Sequence, residues 1–135
     1  MSIQSLGYSI IIVDDFPLMK QWYEQSLGLA LQDYDEEGKW ATFGFPDGGA
    51  ELAIHGLPEG HRPPPTQAEA ADQKGGGRSK VVPCLEVADI NVAVEELKGK
   101  GVKFVREVHG THVLLANFTD PEGNMLQIFQ KAAGV

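Results

Sequence analysis

Apolar and polar positions divide the chain into short, repeating runs. Leu6 to Val13 is rich in β-branched residues and predicts a strand. Asp14 or Asp15 then offers a helix cap with Pro17 in the first turn, and Leu18, Met19, Trp22, Tyr23 and Leu27 recur near helical spacing until Gly28 stops them. Leu29 to Tyr34, Trp40 to Phe45 and Glu51 to His55 follow as three strands, joined by turns at Asp35-Glu36-Glu37-Gly38 and Pro46-Asp47-Gly48-Gly49. The unit reads βαβββ. Lys80 to Val87 opens a second one. Asp89 caps a helix in which Ile90, Ala93, Val94 and Leu97 fall at i, i+3, i+4 and i+7, and Gly99 and Gly101 close it. Val102 to Val108, His112 to Phe118 and Met125 to Phe129 complete the second βαβββ.

The two units are copies of one pattern. Val13 to Val87, Gly28 to Gly101 and Pro46 to Pro121 are offset by 74, 73 and 75 positions. Two copies of one sheet-forming unit imply an α+β fold: an open, barrel-like mixed sheet around a cleft, with helices on the outer face. A cleft is where small molecules bind. Residues 1–135 are expected to form a single domain, with module one at 6–56, a linker at 57–79 and module two at 80–130. The linker assignment follows from Pro58, Pro63, Pro64, Pro65 and the Gly75-Gly76-Gly77 run, with Leu57 its only large aliphatic residue. A short helix at Thr66 to Ala71 is compatible with its alanines.

Strand alternation sorts the side chains by face. Ser9, Ile11 and Val13 share one face of the first strand, and Tyr8, Ile10 and Ile12 the other. Leu52 and Ile54 suit the helix side, leaving Glu51, Ala53 and His55 toward the cleft. Leu126 and Ile128 do the same in the last strand, leaving Met125, Gln127 and Phe129. Val82, Cys84 and Glu86 form the cleft-side set of the fifth strand.

Composition narrows the partners. A net charge of −8, from 11 basic and 19 acidic residues, disfavours nucleic acid and anionic membranes, which need a basic patch. The single cysteine, Cys84, excludes an internal disulfide and fits a reducing, cytoplasmic compartment. The N-terminus lacks the pattern of a secretion signal, and no apolar run is long enough to span a bilayer.

The segment Asp120-Pro121-Glu122-Gly123-Asn124-Met125-Leu126-Gln127-Ile128 is close to a D-P-[DE]-G-N-x-[IL]-E-[LF] signature. With the Val-x-Asp helix entries at Asp15 and Asp89 and the Leu27-Gly28-Leu29 exit, the chain resembles the vicinal oxygen chelate superfamily over about residues 6 to 130. That superfamily includes glyoxalase I, fosfomycin-resistance enzymes, extradiol dioxygenases and bleomycin-resistance proteins. The resemblance implies paired βαβββ modules around one cavity, often in a homodimer. It also implies four metal-ligand positions, which here hold Tyr8, Ala53, Val82 and Gln127. Ala53 and Val82 carry no donor atom, and a divalent site needs three or more donors converging on one point. Glu51 and His55 share a face, but four strand residues separate their backbones by about 13 Å, too far for one ion.

The resemblance and the residues lead to a metal-independent small-molecule-binding protein with no cofactor, similar to the branch that sequesters a drug unchanged. The expected ligand-binding residues are Tyr8, Trp40, Glu51, His55, His112, Gln127 and Phe129, with Cys84 a buried, inert thiol. An enzymatic alternative stays open: a metal-assisted lyase, isomerase or dioxygenase with atypical ligands, or a metal-free enzyme using Glu51, His55 or His112 as an acid-base group. A regulatory domain with a vestigial cleft is the third reading.

Overall fold

The computed structural model describes residues 1–56, 81–111 and 113–131. The chain divides into two compact units, Met1–Pro63 and Pro64–Val135. Each unit contains a four-stranded mixed sheet with helix on one side, so the fold is α+β without a closed barrel. The expected linker and its short helix at Thr66 to Ala71 lie outside the described residues.

In the first unit, β1 (Tyr8–Val13) leads to α1 (Phe16–Gln21), followed by β2 (Ala30–Asp35), β3 (Trp40–Gly44) and β4 (Glu51–Gly56). The sheet order is β1-β4-β3-β2, with β1 and β4 parallel and the other pairs antiparallel. Asp15 caps α1 by accepting the Leu18 N–H at 3.2 Å, satisfying one of the first-turn donors that no helix can bond internally. After Gln21 the helix widens into a π turn over Trp22–Ser26, marked by the Leu27 N–H bonding back to the Trp22 carbonyl at 3.0 Å. Gly28 then reverses the chain with φ 75°, a conformation a Cβ would disfavour. Phe16, Met19 and Tyr23 are buried together with Ile11, Val13, Phe43, Leu52 and Ile54 of the sheet's helix-covered face. The Tyr23 and Phe43 rings sit 6.0 Å apart between centroids.

The second unit repeats the plan with β5 (Cys84–Glu86), α2 (Ile90–Gly99), β6 (Lys103–His109), β7 (Val113–Thr119) and β8 (Met125–Lys131), in the order β5-β8-β7-β6. Asp89 caps α2 by accepting the N–H groups of Asn91 and Val92, and the Gln130 Oε1 accepts that of Ile90 at 2.8 Å. Ile90, Val94 and Leu97 face the sheet and are buried with Ala116, Phe118, Leu126 and Ile128. The turn before β8 is held by Asp120, only 3% exposed. Its Oδ1 accepts from the Glu122 and Asn124 backbone N–H groups at 2.9 Å each, and its Oδ2 accepts the Asn124 side-chain amide at 2.7 Å.

The fifth strand is shorter than its apolar run predicts, pairing over Cys84–Glu86 rather than Lys80 to Val87. Pro83 has no N–H to give a ladder. Contact with β8 continues at both flanks only through the Pro83 carbonyl, which accepts from Gln127 N–H at 3.0 Å, and the Val87 N–H, which donates to the Phe129 carbonyl at 2.9 Å.

Both sheets carry a bulge at the same place. The pairing shifts between Leu31 and Asp33 in β2 and between Phe104 and Arg106 in β6. In the first unit the Thr42 hydroxyl accepts the Asp33 N–H at 3.2 Å, fixing the strand after its irregularity.

Candidate functional site

The face of the first sheet away from α1 is built in rows. One row runs Ile12, His55, Trp40 and Asp35, and the next runs Ile10, Ala53, Thr42 and Asp33. Tyr8 and Glu51 begin the third. Three strong apolar side chains are left open on this face: Tyr8, Ile10 and Ile12 are 49%, 47% and 42% exposed. The Trp40 ring meets His55 edge-on at 5.5 Å and Tyr8 edge-on at 5.4 Å between centroids. Tyr8 and Trp40 stand at opposite corners of the rows, so the diagonal between them crosses Ala53. Both Ala53 and Thr42 are buried although they belong to the open face.

The strand register places Ala53. Ile10 pairs with Ala53, and Cys84 pairs with Gln127. Each partner of the first pair lies 74 positions before its counterpart in the second. Ala53 is therefore the repeat equivalent of Gln127. Glu51 pairs with Tyr8, two residues away from that place.

The corresponding row of the second sheet runs Cys84, Gln127, Asn117 and Arg106. Its polar groups satisfy one another. The Asn117 amide donates to Gln127 Oε1 at 2.9 Å, and the Gln127 amide donates to Cys84 Sγ at 3.2 Å. The Cys84 thiol in turn donates to the Val82 carbonyl at 3.5 Å. Phe129 lies in the next row, between Glu86 and Leu115.

Four of the residues singled out from the sequence thus share one face of the first sheet: Tyr8, Trp40, Glu51 and His55. Gln127 and Phe129 share one face of the second, and His112 lies outside the described residues. One expectation changes. Cys84 is exposed rather than buried, because β5 is an edge strand with nothing paired beyond it among the described residues. Gln127 finds its partners within its own sheet, in Asn117 and Cys84.

Asn117 and Asp33 escaped the sequence reading. Counting by twos from Leu31, which pairs with the buried Phe43, puts Asp33 on the helix side; the bulge turns it to the open face beside Thr42. Asn117 was legible as a polar residue inside the apolar run from Val113 to Phe118.

Residues 5–128 match the model of the glyoxalase/bleomycin resistance protein/dioxygenase superfamily. The chain belongs to that superfamily. It is 32% identical over 126 residues to the uncharacterized protein YurT of Bacillus subtilis (strain 168), covering 90% of this chain and 94% of that one. It is 28% identical over 123 residues to the uncharacterized protein YraH of the same organism, covering 89% and 93%. Among solved structures, TnmS3, an antibiotic binding protein from Streptomyces sp. CB03234, superposes with a TM-score of 0.73 at 19% identity, covering 98% of this chain and 99% of that one.

Set against the superfamily's metal-ligand positions, the residues present do not fit a divalent ion. Ala53 and Val82 have hydrocarbon side chains, and the Gln127 amide is engaged by Asn117 and Cys84. Three converging His, carboxylate or thiolate donors are the minimum for such a site. Among the described residues, no group of three His, Cys, Asp or Glu is placed to hold one. No helix among the described residues is long and apolar enough to cross a membrane.

Proposed function

We propose that this chain binds a small organic molecule without a metal and without changing it, in the manner of an antibiotic-sequestering protein. The observation that carries the reading is the register that puts the methyl group of Ala53 at the counterpart of Gln127. A methyl group there leaves the superfamily's shared means of polarising an oxygen without one of its donors. The antibiotic-binding TnmS3, alike in fold, supports the class of function.

In this reading the ligand rests on Tyr8 and Trp40 of the first sheet, flanked by Glu51 and His55. The protein works as a cytoplasmic homodimer, as other members of the superfamily often do. Aromatic rings present flat, polarisable surface at little entropic cost, which suits a planar ligand.

The test is a fluorescence titration of chelator-treated protein with planar aromatic antibiotics. A Trp22→Phe background leaves Trp40 as the reporter. Saturable quenching that is indifferent to added divalent metal supports the reading. Binding that appears only when metal is restored, or conversion of the bound compound, overturns it.

A further inference from the structure

The charge of this chain is unevenly distributed, and its acidic stretch contains the aromatic face. Residues 1–56 contain nine Asp and Glu against two Lys; residues 57–135 contain ten against nine Lys and Arg. The two lysines of the first stretch do not serve the open face. Lys20 pairs with Glu24 and stands 4.4 Å over the centroid of the Tyr34 ring, itself 6.1 Å from Phe16 on the helix side. The Lys39 stem lies against Gly56 beside Phe16, also on the helix side.

The open face receives carboxylates instead. The bulge in β2 turns Asp33 into the Thr42–Ala53–Ile10 row, where it is exposed. Glu51 lies next to Tyr8 and is half-buried. Neither forms an ion pair among the described residues. Asp35, in the Trp40 row, is engaged by the Gly38 N–H of its own turn. Among the described residues, the face therefore combines the exposed apolar surface of Tyr8, Ile10 and Ile12, the half-buried Trp40 ring, and two carboxylates with no ion-pair partner.

We infer that the open face of the first sheet selects a planar aromatic cation. This inference rests on the binding function proposed above and names the chemistry of its ligand. A ring system carrying a delocalised positive charge gains dispersion and cation–π attraction from Trp40 and Tyr8. Its charge is matched by Asp33 and Glu51 at the two ends of the face, where an apolar surface lowers the local dielectric. A neutral ring of the same shape keeps only the stacking. An anionic one meets like charge.

The experiment compares proflavine, a planar tricyclic cation, with acridone, a neutral tricycle of similar outline, by calorimetric titration at low and high salt. Proflavine is expected to bind about ten-fold more tightly than acridone at low salt, an advantage that shrinks as salt screens it. The double variant D33N/E51Q is expected to bring proflavine affinity down to that of acridone measured on the same variant. The variant E36Q/E37Q, which removes the same charge from the β2–β3 turn, is expected to keep it. If acridone binds as tightly as proflavine, the charge selectivity is overturned while the binding function stands. If E36Q/E37Q acts as strongly as D33N/E51Q, general acidity is responsible and the assignment to this face is overturned. If neither dye binds, both the selectivity and the proposed function fall.

Discussion

The rings of Tyr8 and Trp40 meet edge-on, 5.4 Å apart between centroids, although one strand, β4, and one row of the sheet lie between their backbones. Such a reach is possible only because the residues beneath the diagonal, Ala53 and Thr42, are small. Ala53 brings no donor atom to this position, and its small side chain lets the aromatic pair close over it. One residue thus accounts for both features of the face.

The ring pair has a measurable energy. In a double-mutant cycle of Tyr8→Ala and Trp40→Ala, urea unfolding is expected to give a coupling of about 1 kcal/mol, within the range of edge-to-face aromatic pairs. Strict additivity would show that the two rings do not interact in solution.

Restoring a carboxylate at the repeat position is expected to damage the fold rather than create a centre. Ala53→Glu forces four extra heavy atoms and a charge into a place that is 0% exposed. The expected loss is about 3 kcal/mol, combining overpacking with desolvation of the charge. A denaturation midpoint equal to that of the parent chain would mean that the rings swing aside freely.

Much of this arrangement was legible in the sequence, because alternation and capping are local rules. The split of β1 into Ile11 and Val13 on one side and Tyr8, Ile10 and Ile12 on the other appears directly in their burial. Asp15 and Asp89 cap the helices expected of them. What was not legible depends on contacts distant in sequence. The β2 bulge needs the Thr42 hydroxyl nine residues on, so Asp33 cannot be assigned a face from its own segment. The partners of Gln127 are Asn117 and Cys84, 10 and 43 positions away. The π turn at Trp22–Ser26 differs from an α-helix by one carbonyl step, which residue spacing does not reveal.

The amide row of the second sheet behaves as a unit. Asn117→Leu leaves the Gln127 carbonyl oxygen without its donor and is expected to cost about 1 kcal/mol. Adding Gln127→Leu removes the unmatched acceptor, so the double variant is expected to be less destabilised than the sum of the singles. Thermal melts of the three variants check this; full additivity would contradict it.

Asp120 anchors the turn into β8 through three hydrogen bonds while nearly fully buried. Asp120→Ala is expected to destabilise the chain by about 3 kcal/mol, because two backbone donors and an amide lose a charged acceptor together. Asp120→Asn keeps one acceptor oxygen and is expected to fall between that variant and the parent. Equal stability of all three by chemical denaturation would show that the turn is held by other means.

Side chains at the superfamily's metal positions have too few donors to hold an ion. The most direct test is the metal content of the full chain, expressed in medium replete with zinc, nickel, manganese and iron, dialysed, and measured by inductively coupled plasma mass spectrometry. Far less than one ion of any of these per chain is expected, in protein that still quenches with a planar ligand. One ion per chain that survives dialysis, and is lost when Tyr8 or Gln127 is replaced, would contradict it.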